Sequence, residues 1–308
     1  MCSEPGGQYL YHLAIDYKDR KKNVTPAEHL AIPMFEWLTD NSICDTLVVL
    51  GADSTNFNTG WKGGVIQYME KMLGRKVIWL ICALHTNELP LRHLMAALDG
   101  KTASDNKFDG PIGKLIPRAN ELVLRENIPP IDTEINLVHL DEDIVGDLSA
   151  DQKYLYEITC ALKNNNFPDL LKERKVGPHS HARWLNLASR LCRIWCSEHG
   201  LSDADTEKLK LIVQFMVGVY SPMWFHIKVK HSWLEGPRLI LKQLSLMRAM
   251  GQQVKDIVVP YMRTSAWNAH SEHILDLQTM LSGDNKSLLY SKYGRSVVTL
   301  SLVTQATE

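Results

Sequence analysis

Residues 46–85 read TLVVLGADSTNFNTGWKGGVIQYMEKMLGRKVIWLICALH. Two short apolar runs, Thr46–Leu50 (TLVVL) and Lys76–Ile81 (KVIWLI), predict buried strands of the kind found in parallel sheets. Between them Val65, Tyr68, Met69 and Met72 recur at helical spacing, and Gly74 offers a C-terminal stop. Strand, helix and strand with a crossover of this length predict a parallel βαβ pair of right-handed connection. The fold class is therefore read as α/β.

Working outward, Tyr9–Ile15 (YLYHLAI) predicts a further strand, and Thr25-Pro26 places a cap residue before a proline suited to the first helical turn. Leu30, Ile32, Met34, Phe35 and Leu38 then give that helix a broad apolar face. Beyond Asn87 the pattern changes. Leu89–Leu98, Ala150–Lys163, Ala182–His199, Asp203–Tyr220 and Gly236–Ala249 read as helices, while 100–117 and 125–147 are rich in Gly, Pro, Asp and Asn and read as connections. Residues 1–100 thus form an α/β domain and 101–308 a mainly helical one, with a soft boundary between Leu89 and Gly113.

Of 308 residues, 45% are hydrophobic and 22% charged, the usage of a packed globular protein. Lys and Arg number 34 against 35 Asp and Glu, so any nucleic-acid surface must be local. Six cysteines are scattered through the chain, unlike a secreted disulfide framework, and predict free thiols. No apolar run approaches the roughly 20 residues that span a bilayer, and the N-terminal residues lack a signal-peptide layout. The expectation is an intracellular protein of nucleus or cytoplasm with no membrane partner.

Several residues could carry chemistry. Asp53 stands just past a buried strand, followed by Ser54, Thr55, Asn56 and Asn58. The carboxyl ends of parallel strands are where functional groups collect, although position alone favours a cap on the following turn. Cys82 and His85 form Cys-x-x-His after the next strand, but a zinc site needs four ligands and no second pair has matching spacing. The alternative is a buried thiol beside a backbone-bonded histidine. Cys192 and Cys196 share a helix face with Leu185, Leu191 and Trp195, which predicts core packing, and His179 and His181 read as exposed. A basic strip at Lys228, Lys230, His231, Arg238 and Lys242, interleaved with Trp224, Phe225 and Trp233, suits phosphate contact and base stacking, although aromatics near helix ends are more often core. No Walker loop or Gly-x-Ser-x-Gly elbow is present.

Three pieces in order, Gly51-Ala52-Asp53-Ser54-Thr55-Asn56, Cys82-Ala83-Leu84-His85 and Arg183-Trp184-Leu185-Asn186, resemble the hAT-type DDE transposases. The resemblance covers about Ser3 to Leu281 and implies part of an RNase H-like sheet followed by a mostly helical insertion domain. By that likeness Asp53 matches the second catalytic aspartate and a metal-ligand position, Cys82 and His85 the Cys-x-x-His, and Arg183 with Trp184 the insertion signature. Such chemistry needs several carboxylates around two Mg²⁺ ions. Asp16 follows too close upstream to match the first aspartate, which the resemblance implies would lie before Met1. Glu272 is the sole late candidate for the glutamate, and its context fits the insertion better.

The expectation is a transposase-derived protein, truncated at both ends, that binds DNA or partner proteins, itself included, and has neither cofactor nor autonomous transposition. One rival is a Mg²⁺-dependent nuclease using Asp16, Asp53 and Glu272. The other is a scaffolding or regulatory protein without nucleic-acid contact.

Overall fold

The structure, a computed structural model, describes residues 23–53, 55–104, 107–132, 137–178, 183–230 and 237–263. The chain divides into two compact units that meet at His85 and Thr86, upstream of the expected division at residue 100. Tyr9–Ile15, Asp16 and Glu272 lie outside the described residues. The described chain is α/β in class, mostly helical with a small parallel strand pair.

In the first unit, α1 (Pro26–Asp40) starts as its sequence predicts, with Pro26 in the first turn and a capping box. Thr25 Oγ1 accepts from the Glu28 amide at 3.1 Å, and the Glu28 carboxylate accepts from the Thr25 amide at 3.4 Å. Strand β1 (Val49–Ala52), a short turn α2 (Asn56–Thr59), α3 (Val65–Leu73) and β2 (Ile78–Ile81) follow. The strands pair in parallel, Val49 beside Ile78 and Ala52 beside Ile81. Gly74 ends α3 at φ 67°, a conformation that side-chain-bearing residues avoid. Trp79, Ile81, Ile66 and Met69 are buried in this unit, where α1 packs on α3.

Both strands start later than the apolar runs predict, and side chains explain why. The Arg75 guanidinium donates to the carbonyls of Cys44 and Leu47, which takes them out of the sheet ladder. The Val77 amide donates to the buried Glu70 carboxylate at 3.2 Å, so pairing begins with the Ile78 amide on the Val48 carbonyl. Glu70 also accepts from the Trp79 indole and from Lys76, which satisfies its charge.

Helix α4 (Ala83–Asp99) begins in the first unit and runs into the second. A small hairpin, β3 (Thr102–Ser104) with β4 (Lys107–Phe108), and a 3₁₀ helix, Gly113–Arg118, occupy part of the predicted connection. Then come α5 (Glu142–Asp147), α6 (Ala150–Asn164), α7 (Asp169–Glu173), α8 (Arg183–Trp195) and α9 (Asp203–Phe215). The last elements are a π-helical turn (Met216–Tyr220), α10 (Ser221–Lys228), α11 (Pro237–Leu246) with a 3₁₀ turn (Met247–Ala249), and α12 (Gln252–Arg263).

Helix α8 is buried from Trp184 onward and packs against α6, α9 and the 3₁₀ helix. It carries two buried cations. Arg190 donates to the carbonyls of Ile116, Pro117 and Gly177, and Arg193 to those of Ala119 and Arg174 and to the Tyr154 hydroxyl. At the other end of the 3₁₀ helix the buried Asp99 carboxylate accepts the amides of Ile112 and Gly113 at 2.9 and 2.7 Å. Negative charge at its start and positive charge at its end suit the helix dipole.

Helices α9 and α10 run into one another through the π turn. Pro222 in the first turn of α10 has no amide and its ring crowds the carbonyl four residues back, that of Gly218. A wider turn relieves that crowding, and the five π residues are buried.

Candidate functional site

The site that the sequence singles out is the carboxyl edge of the β1–β2 pair. The Cys82 amide donates to the Ala52 carbonyl at 2.8 Å, which extends the pairing and sets Cys82 beside the residue that precedes Asp53. His85 lies in the first turn of α4. Asp53, Cys82 and His85 thus share one edge.

Asp53 Oδ1 accepts from the Thr55 amide at 2.9 Å, the Thr55 hydroxyl at 2.6 Å and the Asn58 side-chain amide at 2.9 Å. This is the turn-capping role that position favoured. Partial burial pushes the Asp53 carboxyl up. Donation by Thr55 and Asn58, with the neighbouring charge of His85, outweighs it and leaves the group below its ordinary value of 3.8. A pair of Mg²⁺ ions needs several carboxylates. Among the described residues no three His, Cys, Asp or Glu side chains come together, and Asp53 alone does not fit such a pair.

Arg183 opens α8, and Trp184 is buried at 9% exposure. Cys192 and Cys196 are core residues; burial holds the first thiol well above its usual range and pushes the second up to about 12.

The basic strip is only partly what its sequence suggests. Lys228 and Lys230 are exposed near the end of α10, whereas Lys242 Nζ lies 2.6 Å from His226 Nε2 and is half-buried. Arg238 belongs to α11. Trp224 and Phe225 are 6% and 1% exposed and meet edge to face in the core, so they cannot stack on bases. The core reading of these aromatics holds, because α10 continues α9 and turns both rings inward. His179, His181, His231 and Trp233 lie outside the described residues.

Sequence reasoning passed over the aromatic and basic residues of the β1–α3 loop. Trp61 is 76% exposed and Phe57 36%. Lys62 Nζ lies 4.6 Å from the Trp61 ring centre, and Lys71 Nζ lies 4.7 Å from that of Tyr68. The signal was in GWKGG, a large aromatic beside a lysine among glycines. Among the described residues no helix is long and apolar enough to cross a membrane. In comparisons with known proteins, no family model, no curated protein and no solved structure matches the chain.

Proposed function

We propose that this chain derives from a transposase of the hAT type and binds DNA without catalysing transposition on its own. One observation supports the reading above others. Asp53 and Cys82-x-x-His85 leave adjacent parallel strands at the same carboxyl edge, and Arg183-Trp184 opens a buried helix downstream. On this reading the first unit corresponds to part of an RNase H-like core and the helical unit to the insertion. Asp53 is vestigial, its Oδ1 given to the local turn. No step is assigned to a metal. Contact with DNA runs through exposed cations such as Lys228 and Lys230, which bind phosphates without reading sequence. A nuclear or cytoplasmic location and self-association belong to the same reading.

The test uses purified full-length protein and duplex DNA with Mg²⁺ or Mn²⁺. Neither wild type nor Asp53→Asn should nick the substrate. Binding should weaken with salt, and the double variant Lys228→Ala/Lys230→Ala should flatten the salt slope by about 1.8, or about 0.9 per lost phosphate contact. Metal-dependent nicking that Asp53→Asn abolishes would overturn the non-catalytic reading and favour the nuclease. Absence of DNA binding would favour the scaffold.

A further inference from the structure

We propose that Trp61 and Tyr68, with Lys62 and Lys71, form a stacking platform for single-stranded DNA on the first unit, an inference that rests on the DNA-binding reading above. At 76% exposure the Trp61 indole leaves most of its apolar surface open to a binding partner. The loop that holds it has a constrained path. The Gly60 amide donates to the Asn56 carbonyl at 2.9 Å and the Gly64 amide to the Gly60 carbonyl at 2.7 Å. A Cβ on Gly60 would stand 2.5 Å from the Asn56 oxygen, and one on Gly64 would stand 2.5 Å from the Gly60 nitrogen. Asp53 ties down the start of the same loop through Thr55 and Asn58. The backbone is therefore constrained on both sides of the exposed indole.

Two cation and ring pairs lie close together along the chain. Lys62 lies over Trp61 and Lys71 over Tyr68, and Gly63 joins them, since a Cβ there would lie 3.6 Å from the Tyr68 hydroxyl. The nearby acidic groups are engaged locally: Glu28 in the α1 capping box, Asp53 in its turn, Glu70 buried against Lys76. The two lysines bring positive charge to the rings, and the ionised Asp53 carboxylate is tied into its own turn. Positive charge complements phosphate, and the exposed indole beside the half-buried Tyr68 ring complements bases. Paired bases in a duplex have their faces covered, whereas a single strand presents both partners at once. Phosphate contact of this kind requires no divalent ion.

The experiment measures binding of labelled oligothymidylate of about 12 nucleotides to full-length protein in chelator, by fluorescence anisotropy. Trp61→Ala should weaken binding at least about fivefold, and Trp61→Phe should restore most of it. Lys62→Ala/Lys71→Ala should reduce the salt slope by about 1.4, the value for two contacts on a single strand. Trp61 is exposed, so an unchanged thermal unfolding curve for its variants separates lost contact from lost fold. Duplex should bind without dependence on Trp61. If DNA binding is lost in Lys228→Ala/Lys230→Ala but unaffected by Trp61→Ala, the platform is wrong and the DNA reading stands. If wild type binds neither form, both fall. Tighter binding of oligouridylate, or Trp61-dependent self-association without DNA binding, would overturn the platform in favour of RNA or a second copy.

Discussion

Replacing Arg190 with methionine tests how the helical unit is held together. The guanidinium is 7% exposed, and its hydrogen bonds run to backbone carbonyls: Ile116 at 2.8 Å, Pro117 at 3.2 Å, and Gly177 at 2.9 and 3.3 Å. Burial pushes its pKa down and the charge of Asp151 partly restores it. Methionine keeps most of the stem volume but orphans three acceptors. At about 2 kcal/mol each, offset by about half through release of a buried cation, the loss is about 3 kcal/mol. That is a large part of the roughly 5–15 kcal/mol that a domain has to lose. Urea unfolding of the full-length protein, followed by far-ultraviolet circular dichroism, should show it as a lower midpoint. Arg190→Lys should recover less than half, because one ammonium cannot reach from Ile116 to Gly177 with a fork of donors. Stability equal to or above wild type in Arg190→Met would refute the reasoning and make the buried charge a net liability.

The Tyr220 hydroxyl is buried with no hydrogen-bond partner among the described residues, so Tyr220→Phe should raise stability by about 1 kcal/mol. A lower melting temperature would instead mean that the hydroxyl is satisfied. For Asp53 the folded pKa lies below 3.8, so its contribution is fully present above that pH and is lost as pH falls through the folded value. Asp53→Asn should therefore be less stable than wild type at neutral pH, and the deficit should shrink as the pH falls below 3.8. A deficit that does not change with pH, by thermal unfolding, would assign the loss to shape and not charge.

Much of the first unit was legible because its punctuation is local. Thr25-Pro26 and Gly74 act through their own backbone, and the apolar spacing of Val65, Tyr68, Met69 and Met72 needs no partner to be seen. The strand starts were not legible, since Arg75 and Glu70 divert backbone groups from 28 and 7 residues away. In the second unit Val254, Ile257, Val258 and Met262 repeat at helical spacing, and α12 could have been read from them. The π turn could not, because an extra residue per turn breaks the period by which helices are recognised. At the candidate site, Asp53 was legible as a residue after a strand, while the exposure of Trp61 depends on a loop path that only close glycine contacts define.

The 3₁₀ helix Gly113–Arg118 is gripped by two side chains of very different sequence separation. Asp99 reaches the Ile112 amide across 13 residues, whereas Arg190 reaches the Ile116 carbonyl across 74. The longer closure costs about 1.5 kcal/mol more in chain entropy. During folding the Asp99 contact can therefore form early, with α4 alone in place, and the Arg190 contact must wait for α8 to dock. The short helix acquires its far anchor last, so its amides should be the first of the unit to exchange with solvent when α8 lifts away.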